Sequence, residues 1–405
     1  MWERFLSERA RLAAPSAVRE LFRWAGSDVI SFSGGMPDPA TFPAEELLEI
    51  ISDVLRERPQ SALQYSLTEG IYELRDEIAR LSRAHAGINA GPENVLVTVG
   101  SQEAIELVAR LFIDPGDAVA VENPTYVAAL QSWRAYAPRF VGVPLDERGM
   151  AVEALEERLR RLRAEGIRVK LVYTIPTAHN PCGVTMPLER RKRLLEIADE
   201  YDLVIVEDDP YSYLLFEGPA EPPLKSLDRS GRVIYLSTVS KFLAPGLRIG
   251  WVVASEEVIS WLAAAKQALS LCTPSLMQYV VAESLRRGLA LRQIERVREL
   301  YRRKRDAMLA ALRDYMPDGT SWTRPRGGMF VWVTVPRGVD TRRLLDVSLR
   351  RYRVAFTPGH YFFVERPASN TMRLNFTYPS VEQIEGGVRR LSLALRELIE
   401  GAPNV

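Results

Sequence analysis

Between residues 95 and 270 short apolar runs alternate with stretches of helical periodicity. The runs are VLVTV at 95, AVAVE at 118, RFVGV at 139, VKLVYTI at 169, LVIVE at 203, VIYLS at 233 and IGWVVA at 249. They are rich in β-branched residues and bounded by Gly, Pro, Asn or Asp, which is the pattern of strands. Between them Gln102 to Phe112, Val152 to Arg163 and Leu188 to Tyr201 space their apolar residues three and four apart, as helices lying on a core do. Such alternation needs crossover connections, so the pattern predicts an α/β fold: a mostly parallel seven-stranded sheet flanked by helices. After residue 275 the texture changes. Ser275 to Asp314 reads as one long arginine-laden helix, and GGMFVWVTVP, VAFTPG and MRLNFTYP then read as strands of a smaller α+β domain, joined by the N-terminal forty residues.

In doubly wound sheets ligands gather beyond the carboxyl ends of the strands. The polar candidates of this chain fall there. Gly100-Ser101-Gln102 follows the first run, Asn123 to Tyr126 the second, Asn180 the fourth, Asp208 the fifth and Lys241 the sixth.

Composition narrows the class. The chain has 405 residues, 47% of them hydrophobic and 26% charged, which calls for two or three domains of an ordinary globular protein. A formal net charge of +1 gives no field to attract nucleic acid or an anionic membrane. No apolar run approaches the length of about 18 residues that a spanning helix needs. Charges run through MWERFLSERARLAAP, against a secretory leader, and a cytoplasmic location is expected. Cys182 and Cys272 lie far apart and the three histidines are scattered, so no metal-ligand spacing exists. Neither GxGxxG nor GxxxxGK[ST] occurs, which leaves no nucleotide fingerprint.

Lys241 is one of six lysines among 53 basic residues and sits in LSTVSKFLAPGLRIGW. A lysine that forms a Schiff base must be neutral, and burial beside other cations lowers its pKa. Thr238, Ser240 and Arg248 add hydroxyl donors and a fork-shaped cation suited to a phosphate ester. Ser101 and Gln102 open the helix in GSQEAIELVARLF, where free backbone N–H groups and the helix dipole favour an anion. A phosphorylated aldehyde cofactor fits both the amine and the phosphate cup. In VEDDPYSY, an acid at a strand end can keep a pyridine nitrogen protonated; Glu207, Asp208 and Asp209 all compete for that part, and the Tyr211 phenol follows. Asn180 in HNPCG offers an amide fixed by a turn, Tyr126 in ENPTY an aromatic face, and Arg373 in TMRLNF a bidentate clamp for a carboxylate.

Taken in order, SFSGGMPDP at 31, LQYSLTEG at 63, VTVGSQEA at 97, ENPTY at 122, HNPCG at 179, VEDDPY at 206, SKFLAPGLRIGW at 240, RGGMFVW at 326 and MRLNFTY at 372 resemble the fold-type I pyridoxal-phosphate aminotransferases of class I/II. The resemblance spans almost the whole chain. It is strongest to the branch holding 2-aminoadipate, kynurenine and multi-substrate aromatic aminotransferases.

The resemblance implies pyridoxal 5'-phosphate as cofactor and a ping-pong transfer of amino groups between amino acids and 2-oxo acids, with 2-oxoglutarate as acceptor. By similarity Lys241 would form the Schiff base, Asp208 would pair with the ring nitrogen, Tyr211 and Asn180 would meet the ring oxygen, and Tyr126 would stack on the ring. Ser101, Gln102, Ser240, Arg248 and Thr238 would hold the phosphate. Arg373, with the Gly34-Gly35 backbone, would take the substrate α-carboxylate. Tyr65 would reach the cofactor of a neighbouring subunit, which implies a homodimer with shared active sites. SAVRELFR at 16 looks like the branch's mobile helix, with Arg19 meeting a distal carboxylate. The implied domains are residues 1–41 as an N-terminal segment belonging to the small domain, 42–290 as the cofactor-binding domain, and 291–405 as the small C-terminal domain. Two other readings stay open on this scaffold: a pyridoxal-phosphate lyase, and a non-catalytic effector-binding domain of a regulator.

Overall fold

The computed structural model describes residues 1–12 and 28–401. The seven apolar runs form strands β2 (Val95–Val99), β3 (Ala118–Asn123), β4 (Arg139–Asp146), β6 (Val169–Thr174), β7 (Val204–Asp208), β8 (Val233–Thr238) and β9 (Ile249–Val253), following a two-residue β1 (Ile30–Ser31). An eighth strand in the sheet was not expected. The two-residue β5 (Gly149–Met150) folds back antiparallel on β4, because Gly149 takes a φ of +82° that lets the chain reverse there.

The sheet order is β2-β9-β8-β7-β6-β3-β4-β5. Neighbours from β8 through to β4 are parallel, whereas β9 runs antiparallel to both β8 and β2. The parallel strands and β2 therefore end at one edge, and β9 begins there. Alternate residues feed two cores, as a period of two demands. Val119, Val121, Leu171, Tyr173 and Val206 pack on one face with Ile105 and Val108 of helix Gly100–Phe112 and with Trp133. Ala120, Val172 and Ile205 pack on the other with Leu155 and Leu159 of helix Val152–Ala164 and Leu194 of helix Leu188–Tyr201. Burial on both faces explains why these strands read as unbroken apolar runs.

The expected single helix from Ser275 to Asp314 is two. Helix Ser275–Arg286 ends, and helix Leu289–Tyr315 begins after Gly288, whose φ of 71° breaks the helical path. Beyond it β10 (Ser321–Trp322), β11 (Phe330–Thr334), β13 (Thr357–Pro358) and β14 (Thr371–Asn375) form an antiparallel sheet in the order β10-β11-β14-β13. Strand β12 (Val354–Ala355) instead pairs in parallel with β1. That pairing brings the segment after β1 onto the second sheet: Asn375 N donates to Phe32 O at 2.8 Å. Lys304, buried on the long helix, donates to Asp38 Oδ2 and Thr377 O, each at 2.7 Å, and so anchors the same segment further along. Among the described residues no helix is long and apolar enough to cross a membrane.

Candidate active site

A cavity of about 350 Å³ opens at the carboxyl edge of the main sheet, and Lys241, Asp208 and Arg373 all line it. Lys241 closes a 3-10 turn directly after β8 and donates from Nζ to Gly35 O at 3.1 Å. Burial, reinforced by the Arg373 and Arg248 cations, brings its amine down to about 8, with Asp208 pulling the other way. A useful fraction of neutral amine therefore exists near neutral pH.

At the end of β7 the three competing acids separate. Glu207 turns away from the cavity and accepts the backbone N–H groups of Leu224 and Lys225 at 2.8 Å. Asp209 accepts from Tyr235 Oη at 2.9 Å and Ser212 N at 3.0 Å. Asp208 faces the cavity. Its Oδ2 accepts from Tyr173 Oη at 2.6 Å, and its buried Oδ1 has no partner among the described residues. Burial pushes this acid up to about 7; Tyr173 and Lys241 hold it down, while Asp209 and Glu122 push it further up.

The opposite corner is built for an anion. Helix Gly100–Phe112 starts without a side-chain cap from Val99, so its first N–H groups need partners. Ser101, Ser240 and Arg248 line the cavity beside it. Thr238 Oγ1 shares 2.8 Å contacts with Ser240 Oγ and Ile249 O, which fixes the turn leading into Lys241. Arg248 reaches across to Val99 O at 3.2 Å from Nη2, under the glycine turn at Gly100. Gly100 has a φ of +70°, and a methyl there would run into Arg248 Nη2. Gln102 lines the cavity while its Nε2 donates to Ala128 O at 3.3 Å.

Asn180 and Arg373 form the wall towards the second sheet. Arg373 Nη1 donates to Asn180 Oδ1 at 2.8 Å and Nη2 to Ser33 O at 2.7 Å. Its guanidinium lies 4.2 Å from the Phe330 ring centroid and 5.0 Å from that of Phe362, and burial lowers it to about 10. The buried Tyr211 hydroxyl lies 3.5 Å from Asn180 Nδ2, a long contact, and Tyr126 lines the cavity with its phenol pushed up to about 12 by burial. His179 is tied down beneath Asn180: its Nδ1 accepts from Cys182 N at 3.3 Å, and Nε2 lies 2.9 Å from Glu122 Oε2, off the line of a good hydrogen bond.

Two expected residues remain: Tyr65, expected at the cavity of a second copy, and Arg19. Tyr65 is 76% exposed on the surface, and Arg19 lies outside the described residues. Others line this cavity unforeseen. Val127, Ala128 and Gln131 turn into it from helix Val127–Arg134, at the one- and four-residue spacing that marks a helix face beginning directly after Tyr126. Tyr173, within the strand run VKLVYTI, carries no mark of this site in the sequence.

An amine with a lowered pKa, an unpartnered buried carboxylate oxygen and an uncapped helix start with hydroxyls and a cation suit a phosphorylated pyridine aldehyde. Fold and site thus define an α/β enzyme of that cofactor chemistry. Residues 27–391 match the family described as aminotransferase class I and II, and the chain belongs to that pyridoxal-phosphate-dependent family. It is 47% identical to aromatic-amino-acid aminotransferase 1 of Thermococcus litoralis over 98% of this chain and 95% of that one. The structure of the Pyrococcus horikoshii kynurenine aminotransferase, in complex with PMP, is similar with a TM-score of 0.94 and 45% identity, covering 98% of each chain. The α-aminoadipate aminotransferase of Thermus thermophilus, complexed with N-(5'-phosphopyridoxyl)-L-leucine, gives a TM-score of 0.92 at 41% identity over 99% of this chain and all of that one.

Proposed function

We propose that this enzyme moves amino groups from aromatic amino acids, kynurenine, 2-aminoadipate and glutamate to 2-oxo acids, with 2-oxoglutarate as the shared acceptor. What carries the reading is the meeting of Lys241, the free Oδ1 of Asp208 and the buried Arg373 around one cavity. The similar proteins named above are aminotransferases of aromatic amino acids, kynurenine and α-aminoadipate, which supports those three among the donors.

Bound pyridoxal 5'-phosphate supplies an aldehyde to take the amino group and a protonated ring to store the electron pair released at Cα. In our reading Lys241 would anchor that aldehyde through its amine, and the same amine would serve as the base that moves the proton at the substrate's Cα. Asp208 would hold the ring nitrogen's proton through Oδ1. Tyr211 and Asn180 would orient the ring oxygen, and Tyr126 would cover the ring face. Ser101, Gln102, Thr238, Ser240 and Arg248 hold the phosphate. Arg373 and the Gly35 backbone take the α-carboxylate common to every donor, and Arg19 meets the distal carboxylate of diacids. A homodimer completes each site with Tyr65 from the second copy; Leu63 and Leu67 are exposed beside it, apolar surface for such a contact. We also propose domains at 1–41, 42–290 and 291–405, and a reducing, cytoplasmic setting in which Cys182 and Cys272 remain thiols.

The test is the visible spectrum of the protein reconstituted with pyridoxal phosphate while glutamate, 2-aminoadipate, kynurenine, the aromatic amino acids, leucine and alanine are added singly. Loss of the band of the Lys241-bound cofactor with one equivalent of 2-oxo acid is expected, fastest for aromatic and diacid donors. Release of ammonia with pyruvate, or of an amine, would instead make the enzyme a lyase or decarboxylase.

A further inference from the structure

We infer that Tyr173 is the positioning residue for the acid of this site: its hydroxyl pins one oxygen of Asp208 so that the other is presented, as a carboxylate, to the ring nitrogen of the cofactor. The inference rests on the pyridoxal-phosphate reading above.

Tyr173 stands in β6 opposite Val206 of β7, so two residues further along β7 Asp208 comes to the same face. The 2.6 Å contact between Tyr173 Oη and Asp208 Oδ2 is fully buried. The phenol is the donor, because burial and the neighbouring Asp208 hold its pKa well above the ordinary tyrosine value. One oxygen is thereby committed. The other, Oδ1, is buried and without a partner among the described residues, and a buried acceptor left without a donor is costly unless a ligand supplies one.

The groups facing Asp208 explain why a donor is needed. Among the described residues burial, Asp209 next along the chain from β7 and Glu122 on β3 disfavour its charge, and Lys241, in the turn after β8, joins Tyr173 in favouring it. Tyr126 and Tyr211 sit on the cavity side as neutral phenols. Without the Tyr173 hydroxyl, burial among two acids would favour the protonated acid, which has no charge with which to hold a proton on the ring nitrogen.

The ring of Tyr173 is itself held. It packs edge-on against Trp133 with centroids 5.3 Å apart, and Trp133 Nε1 donates to Ile105 O at 2.9 Å. Ile105 lies on helix Gly100–Phe112, whose first turn lines the anion corner. A continuous buried path thus fixes the acid relative to the helix start, the two ends between which the cofactor must fit.

The experiment measures dissociation constants for pyridoxal phosphate and for its analogue with CH in place of the ring nitrogen. It compares wild type, Tyr173→Phe, Asp208→Ala and the double variant. Tyr173→Phe keeps the ring and its packing on Trp133. It is expected to weaken pyridoxal phosphate by roughly tenfold to a hundredfold, the range for a hydrogen bond to a charged group, and to leave the analogue nearly unchanged. In the Asp208→Ala background the second substitution should have no further effect. Equal losses for both ligands would make Tyr173 a packing residue, and no loss for either would remove its role; both outcomes overturn the inference. If wild type takes up no pyridoxal phosphate, the functional reading itself fails, which is distinct from wild-type uptake that Tyr173→Phe leaves intact.

Discussion

Arg373 and Asn180 meet at 2.8 Å across 193 positions of sequence, Nη1 of the guanidinium donating to the amide oxygen. The contact joins β14 of the small sheet to the loop after β6 of the large one. With Nη2 on Ser33 O and the Phe330 and Phe362 ring centroids 4.2 and 5.0 Å from its central carbon, the guanidinium is fixed before any substrate arrives. Preorganisation of this kind lowers the entropy that binding must otherwise lose.

Arg373→Lys should therefore be a severe change despite the retained charge. An ammonium cannot fork to a carboxylate while packing against the Phe330 and Phe362 rings and holding Asn180. We expect kcat/KM to fall about a hundredfold, the loss of two to three kcal/mol that a charged hydrogen-bond pair carries. The fall should be similar for phenylalanine and 2-aminoadipate, because both present the same α-carboxylate, and cofactor affinity should hardly move. Steady-state kinetics with the two donors checks this; a loss confined to one donor would assign Arg373 to side-chain selection.

The amine of Lys241, brought down to about 8 in the cofactor-free site, sets a pH dependence for cofactor capture. Only the neutral amine attacks an aldehyde, so the capture rate should rise with pH through about 8 and level off above it. Arg373 is the largest charged contributor to that lowering. Its replacement by Met removes a positive neighbour, makes protonation easier and should move the midpoint upward. Stopped-flow absorbance across pH 6.5 to about 9.5, bracketing that midpoint, reads both effects; a downward shift would contradict the assigned cause.

Much of this is legible in the amino-acid sequence. The seven long strands stood out because both faces are buried, and the polar residues at their carboxyl ends marked the cavity edge. Other features depended on what periodicity does not record. Leu285 and Leu289 continue the helical pattern across Gly288, so the break there looked like more helix until its φ of 71° was seen. Glu207, Asp208 and Asp209 were rivals because three adjacent acids at a strand end differ only in which way they turn. Tyr173 sits in VKLVYTI like any core aromatic; its chemistry appears only when the register of β6 on β7 brings it to Asp208.

Glu207 carries a stability signature separate from catalysis. Burial raises its carboxyl from an ordinary 4.5 to about 7, although Arg191 at 4.0 Å and the backbone donors oppose the rise. Below about 4.5 it is protonated in both folded and unfolded states. Between about 4.5 and 7 the folded state keeps a proton that the unfolded state releases, so rising pH costs stability until the folded group has titrated. Glu207→Gln cannot titrate. The thermal midpoint of the cofactor-free variant, relative to wild type, should therefore climb by a few degrees between pH 5 and 8 and change little above that. His85 and His360, whose pKa values are lowered by burial, titrate in both proteins and cancel in the comparison. A constant difference across the range would show that Glu207 is ionised throughout.

The anion corner can be tested from two sides. At Gly100 a methyl would collide with Arg248 Nη2 and would also be strained by the φ of +70°; at Gly250 it would sit 2.5 Å from Ser101 N. Gly100→Ala thus displaces the cation, and Gly250→Ala displaces the start of the helix. Both leave Lys241 and Asp208 in place. Each variant should bind pyridoxal phosphate at least tenfold more weakly, through loss of charge-assisted contacts to phosphate, yet take up unphosphorylated pyridoxal about as wild type does. The ratio of the two affinities is the measurement, since a general loosening of the fold lowers both and leaves the ratio alone. A ratio that survives in both variants would mean that the phosphate is held somewhere other than beneath Gly100 and Arg248.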